Sequence, residues 1–454
     1  MAIKEFQGQL ITRDDAEYNT VRAVWNGAID RYPRLIARCK GPTDVIAAVR
    51  FARESNLEIA IRGGGHNVAG TAVCDDGIVI DLSAMRAVSV DPRSATALVE
   101  GGALWGDVDH QTQAHGLATT GGIISHTGVA GLTLGGGLGW LMRQHGLTVD
   151  NLLAADVVTA NGDFLRASHD EHPDLFWALR GGGGNFGVVT AFKFQLHPVG
   201  PIVLAGPILW DAADTTEVLR FYRDFIRNAP DGLGTVVRFG TAPPLPVIPE
   251  KLHWRPLILV GACYAGPIED GEAVIRPLRA FGKPLLDLIA PNPYVNHQSA
   301  LDSTVMHGWN YYWKSTYLPE LGNGLIATLA EHAFACASPR SYVAMFQLGG
   351  AVGRVADSAT AFGNRHASHA VTLDGVWRPG EGHGDRDIAW TRRFFAALDP
   401  YREGVYVNFL GGDDTERIRE AYGSGVYERL VDIKTTYDPD NVFHHNQNIR
   451  PRSR

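Results

Sequence analysis

Arg62-Gly63-Gly64-Gly65-His66-Asn67 is the stretch whose reading decides the fold. Three glycines in a row strip the side chains from a turn, which then delivers a single histidine. Glu58-Ile59-Ala60-Ile61 before it reads as a short buried strand, so the turn begins where a rigid element ends. Backbone N–H groups in such a turn can point at an anion, and bare backbone lets a diphosphate approach closely. A plain glycine turn followed by an exposed histidine would carry the same letters, and short glycine motifs match by chance often.

Working outward, glycine clusters recur at 121–122, 135–139 and 181–184, all in the first half of the 454-residue chain. The segment Gly121-Gly-Ile-Ile-Ser-His-Thr-Gly128-Val-Ala-Gly131-Leu-Thr-Leu-Gly135-Gly-Gly-Leu-Gly139-Trp brackets apolar residues with glycines. That pattern suits backbone lying flat against a large planar ring. The third cluster contains a formal GxGxxG at Gly182, Gly184 and Gly187. A dinucleotide fingerprint must follow a strand and open a helix. This one follows a helical Leu175–Leu179 and runs into the alternating Val188-Val-Thr-Ala-Phe-Lys-Phe-Gln-Leu, so the Rossmann reading fails on context.

The wider chain fits a protein that buries a large cofactor. Its length favours two domains. A net charge of -8 without a Lys/Arg run argues against nucleic acid. Cys39, Cys74, Cys263 and Cys336 are scattered without a CxxC pair, so neither disulfides nor zinc are expected. His169-Asp-Glu-His172 lacks further ligands and reads as a polar helix start. The amino terminus has no apolar leader and no run of eighteen apolar residues follows, which gives the expectation of a cytoplasmic protein off the membrane. Strands are expected at 34–39, 57–62, 77–82 and 96–100, with helices from Asp44 to Ala52 and Thr215 to Ala229. The character changes near residue 200, where glycine clusters stop and prolines increase.

Taken in order, the three glycine elements and the tail from about residue 400 resemble the berberine-bridge-enzyme-like branch of flavoprotein oxidases with the vanillyl-alcohol-oxidase fold. The resemblance implies an α+β protein. A PCMH-type FAD-binding domain over 1–199 would be completed by a returning C-terminal segment, 400–454, and a substrate domain over 200–399 would hold an antiparallel sheet flanked by helices. The residues alone support only a nucleotide-containing cofactor; FAD comes from the resemblance.

By the same resemblance, His66 carries FAD covalently, and Arg62, Gly63, Gly64, Gly65, Asn67 and Gly70 form its diphosphate loop. Gly121, Gly122, Thr127, Gly128, Gly131 and Leu132 would wrap the flavin, with Gly135, Gly136, Gly137, Gly139 and Trp140 following. Asp150, Asn151, Asn185, Gly187, Val188, Val189, Asn446 and Asn448 complete the implied cofactor set. Many relatives tether the flavin a second time through a cysteine, but the matching position is Ile124. Attachment through His66 alone is therefore expected.

The expected chemistry is hydride transfer from a CH–OH or CH–NH carbon to the flavin, with O₂ as acceptor and H₂O₂ as product. Tyr406 and Asn408, two apart in Val405-Tyr-Val-Asn-Phe409, would share one face of a strand over the flavin, with Tyr406 as candidate base. A phenol needs a nearby cation to act near neutral pH, and Lys314 is the candidate. Asp374 is an alternative proton acceptor, and Tyr312, Gln347, His369 and Thr372 are further pocket candidates. Family tyrosines are replaced here by Val68 and Leu138, which shifts the expected substrate toward a small apolar or aromatic secondary metabolite or glycoside. A dehydrogenase or oxidative cyclase using another acceptor, or a flavin binder without catalysis, are the competing readings. Oligomeric state, a homodimer included, is left open.

Overall fold

The computed structural model describes residues 3–453. Three principal sheets organise them. The first has the order Gln9–Ile11, Leu35–Arg38, Ile78–Asp81, Ile59–Arg62; the last three strands are parallel and the first is antiparallel to its neighbour. Helix Pro42–Glu54, capped by Gly41 with proline in its first turn, buries Val45, Ala48, Val49 and Ala52 against Leu35, Ile59, Ile78 and Ile80. Strand Ile59–Arg62 therefore ends at a fixed point, and the glycine turn starts there.

The second sheet is antiparallel, in the order Val88–Asp91, Thr96–Glu100, Val188–Gln195, Leu152–Val158, Phe164–Ser168. Its core takes Phe192 and Phe194 from the sheet and Trp105, Leu175 and Trp177 from helices Trp105–Gln113 and Pro173–Leu179. The C-terminal stretch packs into this same core through Val405, Val407, Leu430, Val431 and Ile449.

Strands between Ile202 and Trp377 form an eight-stranded antiparallel sheet. Period-2 alternation sorts its side chains. Val237, Phe239, Val343, Met345, Val371 and Leu373 lie under helices Thr215–Arg227, Ile268–Ala280, Asn323–His332 and Gly384–Ala397. Positions of the opposite parity, Val236, Arg238, Tyr342, Ala344, Phe346, Thr372 and Asp374, line a cavity instead. The sheet is thus amphipathic, with one face closed by helices and the other turned to the glycine elements.

The tail is held by a fully buried ion pair. Lys434 Nζ lies 2.5 Å from Asp438 Oδ2 and donates to the carbonyls of Asn185 (2.7 Å) and Phe443 (2.9 Å). Asp438 in turn accepts from the N–H groups of Val442 and Phe443. One ammonium thereby fixes the tail to the third glycine element. Removing it leaves a carboxylate buried with no cation, which costs about 3–5 kcal/mol. Lys434→Ala is expected to lower the thermal unfolding midpoint clearly, whereas the exposed Arg166→Ala should change it little; scanning calorimetry on the two variants makes the comparison.

Candidate active site

A cavity of about 630 Å³ lies between the glycine elements and the open face of the large sheet. The first and second elements meet there backbone to backbone. A Cβ on Gly64 would overlap Gly128, and a Cβ on Gly128 would overlap Gly64. Only glycine at both positions permits that approach. The amide N–H groups of Gly63, Gly64, Gly65 and His66 donate to no group among the described residues. Clustered unpaired amides in a cavity wall are what a diphosphate requires. Gly131 and Gly184 also line the cavity, and a Cβ on either would meet nothing within 4 Å. These features fit a bulky anionic cofactor with a flat ring.

His66 is built into an aromatic stack. Trp25 lies parallel to it at 4.3 Å between ring centroids, and Tyr311 stacks on the far side of Trp25 at 3.7 Å. Its Nε2 stands 3.1 Å from Nδ1 of His126, and His307 is the third ring of the group. Burial, reinforced by His126 and then His307, pushes the His66 pKa well below the ordinary imidazole value. His66 is therefore a neutral imidazole whose Nε2 is engaged with His126. No group of three or more His, Cys, Asp or Glu residues is arranged to hold a metal among the described residues.

The remaining residues expected to contact the cofactor divide cleanly. Asn67, Gly122, Thr127, Leu132, Trp140, Gly187, Val189 and Asn446 line the cavity. Arg62 instead turns its guanidinium to the carbonyls of Val21 and Arg22, and Gly70 packs against Ile29. Gly121 and Gly139 are pressed on Trp105 and on each other; Gly135, Gly136 and Gly137 abut Asn408, Phe362 and Thr148. These five glycines act in packing. Asp150 makes a buried bidentate pair with Arg365 (3.0 and 2.7 Å), and Asn151 bonds the carbonyls of His145 and Leu147. Asn185 ties Gly182 to Gln447 and Ile449, Val188 sits in the core of the first sheet, and Asn448 is absent from the cavity wall.

Tyr406 and Asn408 are on the cavity wall, but not on a strand. The segment Val407–Phe409 is a 3₁₀ turn, closed by Phe409 N–H to the Tyr406 carbonyl at 2.9 Å. Asn408 Nδ2 donates to the Leu132 carbonyl (3.0 Å) and to the Tyr406 hydroxyl (2.8 Å), which also accepts from Gly137 N–H (2.8 Å). Both lone pairs of the phenol oxygen are thus occupied, and its hydrogen has no acceptor among the described residues. Burial raises the phenol above its ordinary pKa, against the opposing bonds from Gly137 and Asn408.

No lysine or arginine pairs with Tyr406 among the described residues. Lys314 was expected there, but Trp313, directly opposite Asp374 in the ladder, takes the cavity face. Alternation then sends Tyr312 and Lys314 to the other side, where Lys314 binds Asp413 (2.8 Å) and Asp414 (2.7 Å) and Tyr312 binds Asp413 (2.7 Å). Burial alone would depress the Lys314 ammonium; these carboxylates more than offset it and raise its pKa. Gln347 and His369 likewise fall on the helix-covered face, bonded to Thr235 and facing Tyr222. Of the expected pocket residues, Thr372 and Asp374 do line the cavity.

Asp374 is 1% exposed. Its Oδ2 accepts from Thr372 Oγ1 at 2.5 Å, and its Oδ1 has no partner. Burial pushes the carboxyl up to about 7, opposed by the Thr372 bond and by the positive charge of Arg238. Arg238, Trp313, Phe346 and Phe409, all on the wall, were not anticipated. Strand parity relative to Asp374 would have found Trp313; nothing in the local sequence marks Arg238.

With this geometry in place, the comparisons with known proteins become specific. The family model described as "FAD binding domain" matches residues 33–168, and the one described as "Berberine and berberine like" matches 405–450. An FAD-linked oxidoreductase of Dictyostelium discoideum is 32% identical, covering 99% of this chain and 96% of its own. The (R)-6-hydroxynicotine oxidase of Paenarthrobacter nicotinovorans is also 32% identical, covering 98% and 97%. The crystal structure of 6-hydroxy-D-nicotine oxidase from Arthrobacter nicotinovorans superposes with a TM-score of 0.88 at 30% identity, covering 98% of each chain. The xylooligosaccharide oxidase structure from Myceliophthora thermophila, at 24% identity and a TM-score of 0.86, shares the fold.

The site and fold define an FAD-binding oxidoreductase of the PCMH-type α+β class. The chain belongs to the berberine-bridge-enzyme-like family of FAD-linked oxidoreductases. Among its described residues no helix is long and apolar enough to cross a membrane.

Two glycines separate backbone contact from cofactor space. Gly64→Ala forces apart two backbones that cannot yield, a strain of about 1–3 kcal/mol, so it should lower the unfolding midpoint and strip the flavin. Gly131→Ala adds a methyl to open cavity wall and should leave the midpoint near wild type while lowering the flavin-to-protein absorbance ratio. Equal behaviour of the two variants would contradict this division.

Proposed function

We propose that the chain is a mono-covalent FAD oxidase that removes a hydride from a CH–OH or CH–NH carbon of a small apolar or aromatic substrate. The observation that carries this reading is one cavity holding both the His66 and glycine wall and, on the facing sheet, a buried carboxyl with a free oxygen. FAD, when bound, supplies the hydride acceptor and passes the electrons to O₂, giving H₂O₂. Two relatives support the bond types: one is named (R)-6-hydroxynicotine oxidase and another, 27% identical over 99% of this chain, xylooligosaccharide oxidase.

His66 is the proposed point of attachment. Nε2 stands within hydrogen-bond distance of His126 Nδ1, and the neutral ring keeps one nitrogen lone pair for attack on the flavin. Position 124 is isoleucine on the cavity wall, and all four cysteines lie off that wall, so one bond is expected. Acid-precipitated protein should retain flavin fluorescence, and His66→Ala should release all of it to the supernatant; a colourless pellet from the wild type refutes the attachment.

Asp374 is the proposed proton acceptor, in preference to Tyr406. A tyrosine with both lone pairs engaged, a raised pKa and no lysine or arginine paired with it is a hydrogen-bond donor at neutral pH. Asp374 lies on the cavity wall with an unpartnered, buried Oδ1 and titrates close to working pH, the condition for an efficient general base. Its base form is the carboxylate, so kcat/KM should rise with pH through about 7 and level off above it. Asp374→Asn should abolish that limb and cost about 10²–10⁴-fold in rate. Tyr406→Phe should keep the limb with a smaller loss. Oxygen uptake stoichiometric with substrate distinguishes oxidase turnover from use of another acceptor.

A further inference from the structure

The open face of the large sheet carries one full positive charge that the redox reading leaves unused. Arg238, in strand Leu233–Thr241, lines the cavity and is enclosed by protein on its other sides. Its guanidinium rests over the ring of Tyr342, 4.0 Å from the centroid, and Nη1 donates to Thr304 Oγ1 at 3.3 Å. It makes no ion pair among the described residues. Nε and Nη2 have no partner either, and neither is among the occluded polar atoms, so this edge of the fork opens into the cavity. A desolvated guanidinium without a counter-ion is costly unless something completes it.

Asp374 does not complete it. Arg238 lies opposite Ala344, and Ala344 opposite Thr372, while Asp374 lies opposite Tyr342. The two charged residues therefore stand two strands apart, about 10 Å between backbones, with Tyr342 between them. Their side chains stay beyond ion-pair range and face the same space.

We infer that the substrate carries a carboxylate that docks on the free edge of Arg238 while its oxidised carbon lies toward Asp374. The guanidinium edge presents two parallel N–H donors, the match for a carboxylate. A phosphate dianion would leave one charge unpaired, because Arg238 is the sole arginine or lysine on the cavity wall among the described residues, and Leu259, Trp313, Phe346 and Ala344 on that wall are apolar. Those walls add that the rest of the molecule is hydrophobic or aromatic. The inference rests on the proposed oxidase reading and names the substrate class of the same cavity.

Benzoate and benzamide are the probes, titrated into flavin-loaded enzyme by calorimetry with the flavin absorbance recorded in parallel. They share a ring and shape and differ in charge. Benzoate should bind about 10- to 100-fold more tightly than benzamide. Arg238→Met should erase that preference by weakening benzoate alone, and Arg238→Lys should restore part of it. Equal affinities in the wild type, no measurable benzoate binding at millimolar concentration, or benzoate binding unchanged in Arg238→Met would each overturn the inference. The wild-type comparison decides even if the variants fail to fold. Purified protein without flavin would instead count against the oxidase reading, so the two failures are distinguishable.

Discussion

Everything at the site depends on two glycines touching backbone to backbone. Gly64 lies in the turn that leaves edge strand Ile59–Arg62 of the first sheet, and Gly128 precedes the helix Val129–Gly135. Neither position has room for a Cβ, so their contact sets how close the first and second glycine elements come. That closeness puts the unpaired amides of residues 63–66 in one wall and places His66 beside His126. A looser approach would separate the His66 ring from the helix that follows Gly128. The constraint is steric and local, yet it aligns groups sixty residues apart.

The second constraint is the parity of the large sheet. Helices on one face consume Val237, Phe239, Met345 and Leu373 as core, and the intervening positions are forced toward the cavity. A sheet strand cannot choose which neighbour to show, since a one-residue slip would exchange the whole set. Arg238 and Asp374 are thus delivered to the cavity by the same ladder that buries Leu373 and Val237. Their charges are tolerated there because cavity space adjoins them, whereas on the helix-covered face polar groups such as Gln347 are paired within the protein, here with Thr235.

How much of this was legible from residues alone follows the same lines. Glycine clusters announce close backbone approach, and the expected α+β architecture with an FAD-binding region is what the structure and the family matches show. Which glycines face the cofactor space was not legible: Gly128 and Gly131 do, while Gly135, Gly136 and Gly137 pack on Asn408, Phe362 and Thr148, partners distant in sequence. The Tyr406-x-Asn408 spacing fits a strand face and a 3₁₀ turn equally well, because the turn is fixed by bonds to Leu132 and Gly137 that no local pattern encodes. Lys314 was misplaced for the converse reason. Its strand was identifiable, but strand parity needs the neighbouring Asp374 register, which is a tertiary fact.

The pairing of Tyr406 with Asp374 follows from where hydrogen bonds are already spent. A phenol that receives two N–H donors has its oxygen lone pairs filled and can only give its proton outward. A carboxyl with one oxygen bonded and the other bare can receive one. Two groups of opposite proton polarity then border one space, and they keep that polarity through opposite environments: donors around Tyr406, and apolar burial tempered by Thr372 and Arg238 around Asp374. In the proposed reaction a substrate OH or NH presented between them would meet a donor on one side and an acceptor on the other, which would set its orientation before any bond is broken.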